Sequence, residues 1–200
     1  GTEYYAADAT VTLSAPAVVT AVVSITVAQY NDGSNHAATI NPDGTASFTM
    51  PAAATTATIT GFEANYIDAD GTEQTHAVSL LSSSNGTVNK EGGWYAVIGN
   101  VTIGSLHFNG ETHLILTDGA TLTVNACTFV NNNLYVYGQT LGSGTLYTHR
   151  EKVPAALLGE VNYAYGMKVT GNITFCGGQV NAWAVAKPKM VPLDEGSVIG

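Results

Sequence analysis

Charge is scarce in this chain: only 10% of residues are Asp, Glu, Lys or Arg, and 6 basic residues face 15 acidic ones. A formal net charge of -9 leaves no basic patch to grip phosphate, which excludes nucleic acid and an anionic membrane surface as electrostatic partners. Long apolar runs are missing too. The longest, APAVVTAVVSITVAQY, is cut by Thr20, Ser24 and Thr26 and falls short of the roughly 18 residues that cross a bilayer, so no membrane insertion is expected. Cysteine is limited to Cys127 and Cys176, too few for a disulfide scaffold and too far apart for a close-spaced metal site. Buried inert thiols and a single bridge both remain open, and neither makes them catalytic. The residues from Gly1-Thr2-Glu3 onward do not read as a basic-then-apolar leader, and KPKMVPLDEGSVIG carries no anchor motif. The expectation is a processed chain whose export signal has been trimmed and which continues into further domains.

What is present is β-forming. A chain of 200 residues suits one or two domains and hides roughly 70% of its unfolded surface. Residues 1–65 hold short alternating, β-branched runs: ATVTLSA, VVSITVAQY, HAATIN, TASFTMP and TATITGF. NDGSN and NPDG between them are turn sequences, with Gly33 and Gly44 free to take positive φ. This spacing predicts a small β-sheet or sandwich domain.

From residue 66 onward the pattern changes. After a Ser/Asn/Gly stretch at 82–93, apolar groups recur between glycines and asparagines: GWYAVIGNVTIGSLHF, HLILTDGATLTV, NLYVYGQTLGSGTLYT, GMKVTGNITFCGGQVNAW. Leu114 precedes Leu134 by 20 residues and Leu122 precedes Leu146 by 24, a period typical of stacked coils. Asp118-Gly119 between alternating runs is locally a hairpin signal. NLYVYG and NITFCGG, however, repeat one Asn-apolar-x-apolar-x-Gly pattern, and that repetition favours a corner in a coil.

Two resemblances sharpen this reading. DGTASFTMPAAATTATITGFE, through Asp43, Gly44, Thr45, Phe48, Met50, Pro51, Thr58, Thr60 and Phe62, resembles bacterial extracellular repeat domains related to internalin B-repeats, which implies a spacer module. YIDADGTEQT, GWYAVIGNVTI, HLILTDGATLTV, LYVYGQTLGSGTL and NITFCGGQVNA stand in that order over residues 66–183. They are similar to blocks in surface proteins of gut Firmicutes and Bacteroidetes. That similarity implies a carbohydrate-binding-like or adhesin-like module built as a right-handed parallel β-helix. HREKVPAALLGEVNYAYG, from His149, departs from the family's Gly-rich coils. The expected architecture is all-β: a small spacer domain at 1–65, then a short parallel β-helix-like domain at 66–200.

Candidate chemistry is sparse. Asp68, Asp70 and Glu73 in DADGTE are spaced like part of a calcium loop, but a full loop needs more ligands, and Asp70-Gly71 serves as a turn. Calcium is therefore the one cofactor to consider, with the turn favoured. His36, His76, His107, His113 and His149 form no H-x-H or H-E-x-x-H pair; solvated or stacked rings are the favoured reading. No G-x-S-x-G elbow is present. Glu111, Asp118, Glu151, Glu160, Arg150, Lys152 and Lys168 are the residues that a polysaccharide lyase or hydrolase would draw on, yet no carboxylates pair on one strand face.

Aromatic rings suit sugar better, because a ring stacks on the apolar face of a pyranose. Tyr135, Tyr137, Tyr147 and Trp183 are the candidate carbohydrate-binding residues, with Tyr163 and Tyr165 in the same domain. Tyr135 and Tyr137 share one strand face, opposite Leu134 and Val136, so both point outward if the aliphatic face is inward. A ladder stacked under a neighbouring segment is the competing role for them, and Trp94 is expected to cap the core. The leading expectation is a secreted or cell-surface bacterial module, non-catalytic, whose partner is a polysaccharide or a host surface glycan or protein. A lyase or hydrolase fragment and a purely structural stalk are the alternatives.

Overall fold

The computed structural model describes residues 5–29, 33–150 and 167–184. The chain is all-β, with no helix among the described residues. It divides into two units, one of residues 1–65 with 75–80, the other of residues 66–74 with 81–200.

In the first unit β1 (Thr10–Leu13), β5 (Ala46–Thr49) and β4 (Ala38–Ile40) form an antiparallel sheet in that order. β2 (Ala21–Gln29) pairs antiparallel with β3 (Asn35–His36) and with β6 (Thr55–Ile67), whose other neighbour is β7 (Glu73–Leu80). Alternation along these strands sends Val11, Val27 and Phe48 into a small core, with Leu13, Ile25, Ala38, Met50 and Ala57 packed against it. Asp43-Gly44-Thr45 is a capped turn. Asp43 Oδ1 accepts from Thr45 N at 3.0 Å and Thr45 Oγ1 at 2.7 Å, and Gly44 takes a φ of 79°. HAATIN, one strand by alternation, is divided: His36 ends β3 beside Val27, whereas Ala38 starts β4 beside Phe48.

The second unit is built on parallel pairing. Its strands are β8 (Ser84–Val97), β9 (Asn100–Leu116), β10 (Thr121–Val130), β11 (Leu134–Gly138), β12 (Thr145–Arg150), β13 (Met167–Val169), β14 (Ile173–Phe175) and β15 (Gln179–Ala184). They align in three sets of rungs. Val101, Leu122, Leu146 and Val180 fall in register in the first. Val88, Leu106, Thr128 and Met167 do so in the second. Tyr95, Leu114, Val136 and Phe175 do so in the third. The long strands pass from one set to the next through irregularities, such as the register shift between Val124 and Cys127.

The inward side of the rungs is mostly apolar, with Thr128 buried among it and Phe175 at the end of the third set half exposed, and it forms a core that includes Ile103, Leu106, Phe108, Leu114, Leu122, Val136, Leu146 and Met167. Asp118-Gly119 is therefore a corner. β10 leaves it alongside the start of β9, with Thr121 paired to Asn100 in parallel, because the apolar face can then stay on one core. Leu134 and Val136 are buried in that core, which turns Tyr135 and Tyr137 to the other side of β11.

Candidate functional site

The rungs of the third set place their outward side chains in line. Trp94 on β8 is in register with His113 on β9, which is in register with Tyr135 on β11, which is in register with Thr174 on β14. Neighbouring parallel strands lie about 4.8 Å apart, so rings at equivalent positions are spaced for stacking. Trp94 and His113 stack with centroids 4.2 Å apart and planes 10° from parallel; His113 and Tyr135 stack at 4.6 Å and 5°. Both faces of the imidazole are thus covered. The other face of Tyr135 is on the side of the next rung, where the register places the small side chain of Thr174 among the described residues.

Tyr137, two residues along from Tyr135, does not stand free. It is 7% exposed, with Tyr66 tilted against it at 4.7 Å and Trp94 stacked at 5.4 Å. Tyr66 also leans on Trp94 at 5.0 Å. Burial, then the neighbouring Cys176 and Tyr66, pushes the Tyr137 phenol up to about 12. The reading of Tyr137 as an outward ring for a ligand therefore gives way to a covered ring, because Tyr66 occupies the side that solvent would have reached. Trp94, expected as a core cap, lies in this outer stack.

Hydrogen bonds fix the imidazole between its neighbours. Nε2 of His113 lies 3.5 Å from Glu111 Oε1, and Nδ1 lies 3.0 Å from the Tyr137 hydroxyl. A carboxylate only accepts, so Nε2 carries the proton and, in the neutral ring, Nδ1 accepts from Tyr137. Glu111 Oε2 accepts from Asn133 Nδ2 at 3.0 Å, and Asn133 Oδ1 accepts from Asn172 N at 2.9 Å. The amide of Asn133 first, and then His113, holds the Glu111 carboxyl below its usual range. A polar ladder, Glu111 to Asn133 to Asn172, therefore runs beside the aromatic one.

The other sequence candidates are placed elsewhere. Tyr147 is 41% exposed on β12, between Thr123 and Asn181 in the first set of rungs, and does not join the stack. Trp183 is in β15 opposite His149, and its side chain lies outside the described residues, as do Glu151, Lys152, Glu160, Tyr163 and Tyr165. Asp68 is committed to its own turn: Oδ1 accepts from Asp70 N at 3.0 Å and Thr72 N at 2.9 Å, and Oδ2 accepts from Gln74 Nε2 at 3.2 Å. These bonds, with that from Thr72 foremost, lower its carboxyl, and Gly71 supplies the positive φ of 79°. Asp70 and Glu73 are exposed beside it. Among the described residues no three His, Cys, Asp or Glu side chains converge as metal ligands. Cys127 and Cys176 are both half-buried thiols, and no disulfide joins them.

Sequence reasoning found Tyr135 and Tyr137 by period two but did not join them to Tyr66, Trp94, His113 and Glu111. The signal was available in the coil spacing, which brings Trp94, His113 and Tyr135 to one line once the strands are paired in parallel. Protein-family models, curated proteins and solved structures offer no match to this chain.

Proposed function

We propose that the second unit is a short right-handed parallel β-helix serving as a non-catalytic adhesion or polysaccharide-binding module of a secreted or cell-surface bacterial protein, with the first unit as its spacer. One observation carries the reading: the outward stack Trp94–His113–Tyr135 ends on Tyr135, whose other ring neighbour, Tyr137, lies 6.5 Å away along the same strand, while the register places Thr174 and no ring opposite it on β14. A ring pre-positioned by its neighbours loses little freedom when a pyranose packs on it, which favours binding. The resemblance of the sequence blocks to those of gut-bacterial surface proteins and the acidic, charge-poor composition support the same setting.

A glycan array probed with the purified chain and with Tyr135→Ala tests this. Binding that Tyr135→Ala loses, while Tyr147→Ala keeps it, is the expected result; an array silent across neutral, amino and acidic sugars overturns it. A purely structural stalk is the second reading, favoured by the burial of Tyr137 beneath Tyr66. On that reading Tyr135→Ala changes only the thermal stability.

A further inference from the structure

We propose that the ligand is an uncharged pyranose unit that binds as the next rung of the stack, lying on Tyr135 over Thr174 and hydrogen-bonded by the side chains of Thr174 and Asn172. The inference rests on the carbohydrate reading above and names the sugar class and two contact residues that it leaves open.

The two ladders end together. The aromatic one runs Trp94, His113, Tyr135 at ring spacings of 4.2 and 4.6 Å, and where a fourth ring would come the register supplies Thr174. A threonine side chain is too small to cover the face of a tyrosine, so among the described residues the register puts nothing ring-sized there on the outer side of β14. The polar ladder runs Glu111, Asn133, Asn172. Asn133 spends its amide nitrogen on Glu111 and its oxygen on the Asn172 backbone. At Asn172 only the backbone is used, its N–H to Asn133 and its carbonyl to Leu134 N at 2.9 Å. The Asn172 carboxamide and the Thr174 hydroxyl thus have no partner among the described residues, and they stand two residues apart beside the open face of Tyr135. An apolar platform flanked by an amide and a hydroxyl is the donor and acceptor set for a sugar with one C–H-rich face and equatorial hydroxyls.

Charge decides the class. The nearest ionised group of the two ladders is the Glu111 carboxylate, its oxygens held by Asn133 and His113, and Asp68 lies close enough to act on Tyr66 and on the Cys176 thiol that follows β14. The whole chain adds a field of net charge -9. Two carboxylates and an acidic background repel a uronate or a sulfated sugar, whereas a neutral hexose or N-acetylhexosamine pays no such cost.

The test is titration of the full chain with oligosaccharides of glucose, galactose, mannose, N-acetylglucosamine and galacturonate, each followed by calorimetry. Three variants accompany it: Asn172→Ala, Thr174→Val and Thr174→Phe. At least one neutral series is expected to bind better than the uronate. Asn172→Ala and Thr174→Val should each weaken that binding about three- to tenfold, the worth of one hydrogen bond. Thr174→Phe, which supplies the missing ring from the protein itself, should abolish it while leaving the thermal transition in place. Neutral sugars that bind with all three variants unimpaired, but not with Tyr135→Ala, would overturn the rung geometry and leave the platform standing. Galacturonate binding as well as the neutral sugars would overturn the class, and no binding by any series would overturn both the inference and the carbohydrate reading beneath it.

Discussion

At the scale of single residues, His113 and Tyr137 do the positioning and Tyr135 is positioned. His113 is stacked on both faces and hydrogen-bonded through both ring nitrogens, so the plane of Tyr135 is set by a neighbour that has nowhere to turn. Tyr137 contributes a hydroxyl from beneath Tyr66, and its ionisation is the accessible probe of that packing. A phenol whose folded pKa is raised from 10.0 to about 12 gives stability that is complete below pH 10 and is lost as pH climbs toward 12, because the unfolded chain ionises first. In a spectrophotometric titration of tyrosinate absorbance, Tyr137 should ionise late, and Tyr137→Phe should remove that late fraction. The same variant should cost about 1 kcal/mol at neutral pH through the lost bond to His113, measurable by urea unfolding. The sequence disclosed the shared face of Tyr135 and Tyr137, since period two is local. It could not disclose that Tyr66, many residues upstream, covers one and spares the other.

At the scale of elements, the corners decide the fold. The Asp118 carboxylate accepts from Leu141 N at 3.0 Å, from Ser143 N at 3.2 Å and from Ser143 Oγ at 3.4 Å, so one corner organises the corner of the next rung. Asp118→Ala should lower stability by about 1–3 kcal/mol in urea unfolding, since it leaves those donors without their acceptor. Gly144 is tighter still: a Cβ there would stand 2.5 Å from Leu116 O and 2.6 Å from Thr117 O, both backbone atoms. Gly144→Ala should therefore cost more than Asp118→Ala, about 4 kcal/mol or above, or prevent folding, as thermal scans of the two variants side by side would show. Asp-Gly alone could not separate hairpin from corner, because either needs a positive φ at Gly119, here 74°. The repeated Asn-apolar-x-apolar-x-Gly pattern did separate them, as parallel rungs require equivalent residues at equivalent corners.

At the scale of the whole molecule, the division into units follows the contacts and not a single point in the chain. Residues 66–74 belong with the second unit, but 75–80 belong with the first, where Val78 is buried. Alternation and turn signals mark a change of pattern near residue 65; they carry no information about which unit a returning strand will join. A fragment of residues 1–80 should unfold cooperatively in calorimetry, whereas residues 1–65, lacking that strand, should give a broad transition or none. A fragment of residues 81–200 loses Tyr66 from the aromatic stack, and Tyr137 in it should ionise at lower pH than in the full chain.

This weave of the chain also bears on inheritance. Protein modules are exchanged readily when one crossover in the gene falls between two complete folding units. Here the chain passes between units at 65/66, again at 74/75 and again at 80/81, so a crossover at the first point hands a strand of the first unit to the wrong descendant. Descent should keep these two units as a pair, and recombination breakpoints should be depleted between residues 65 and 81.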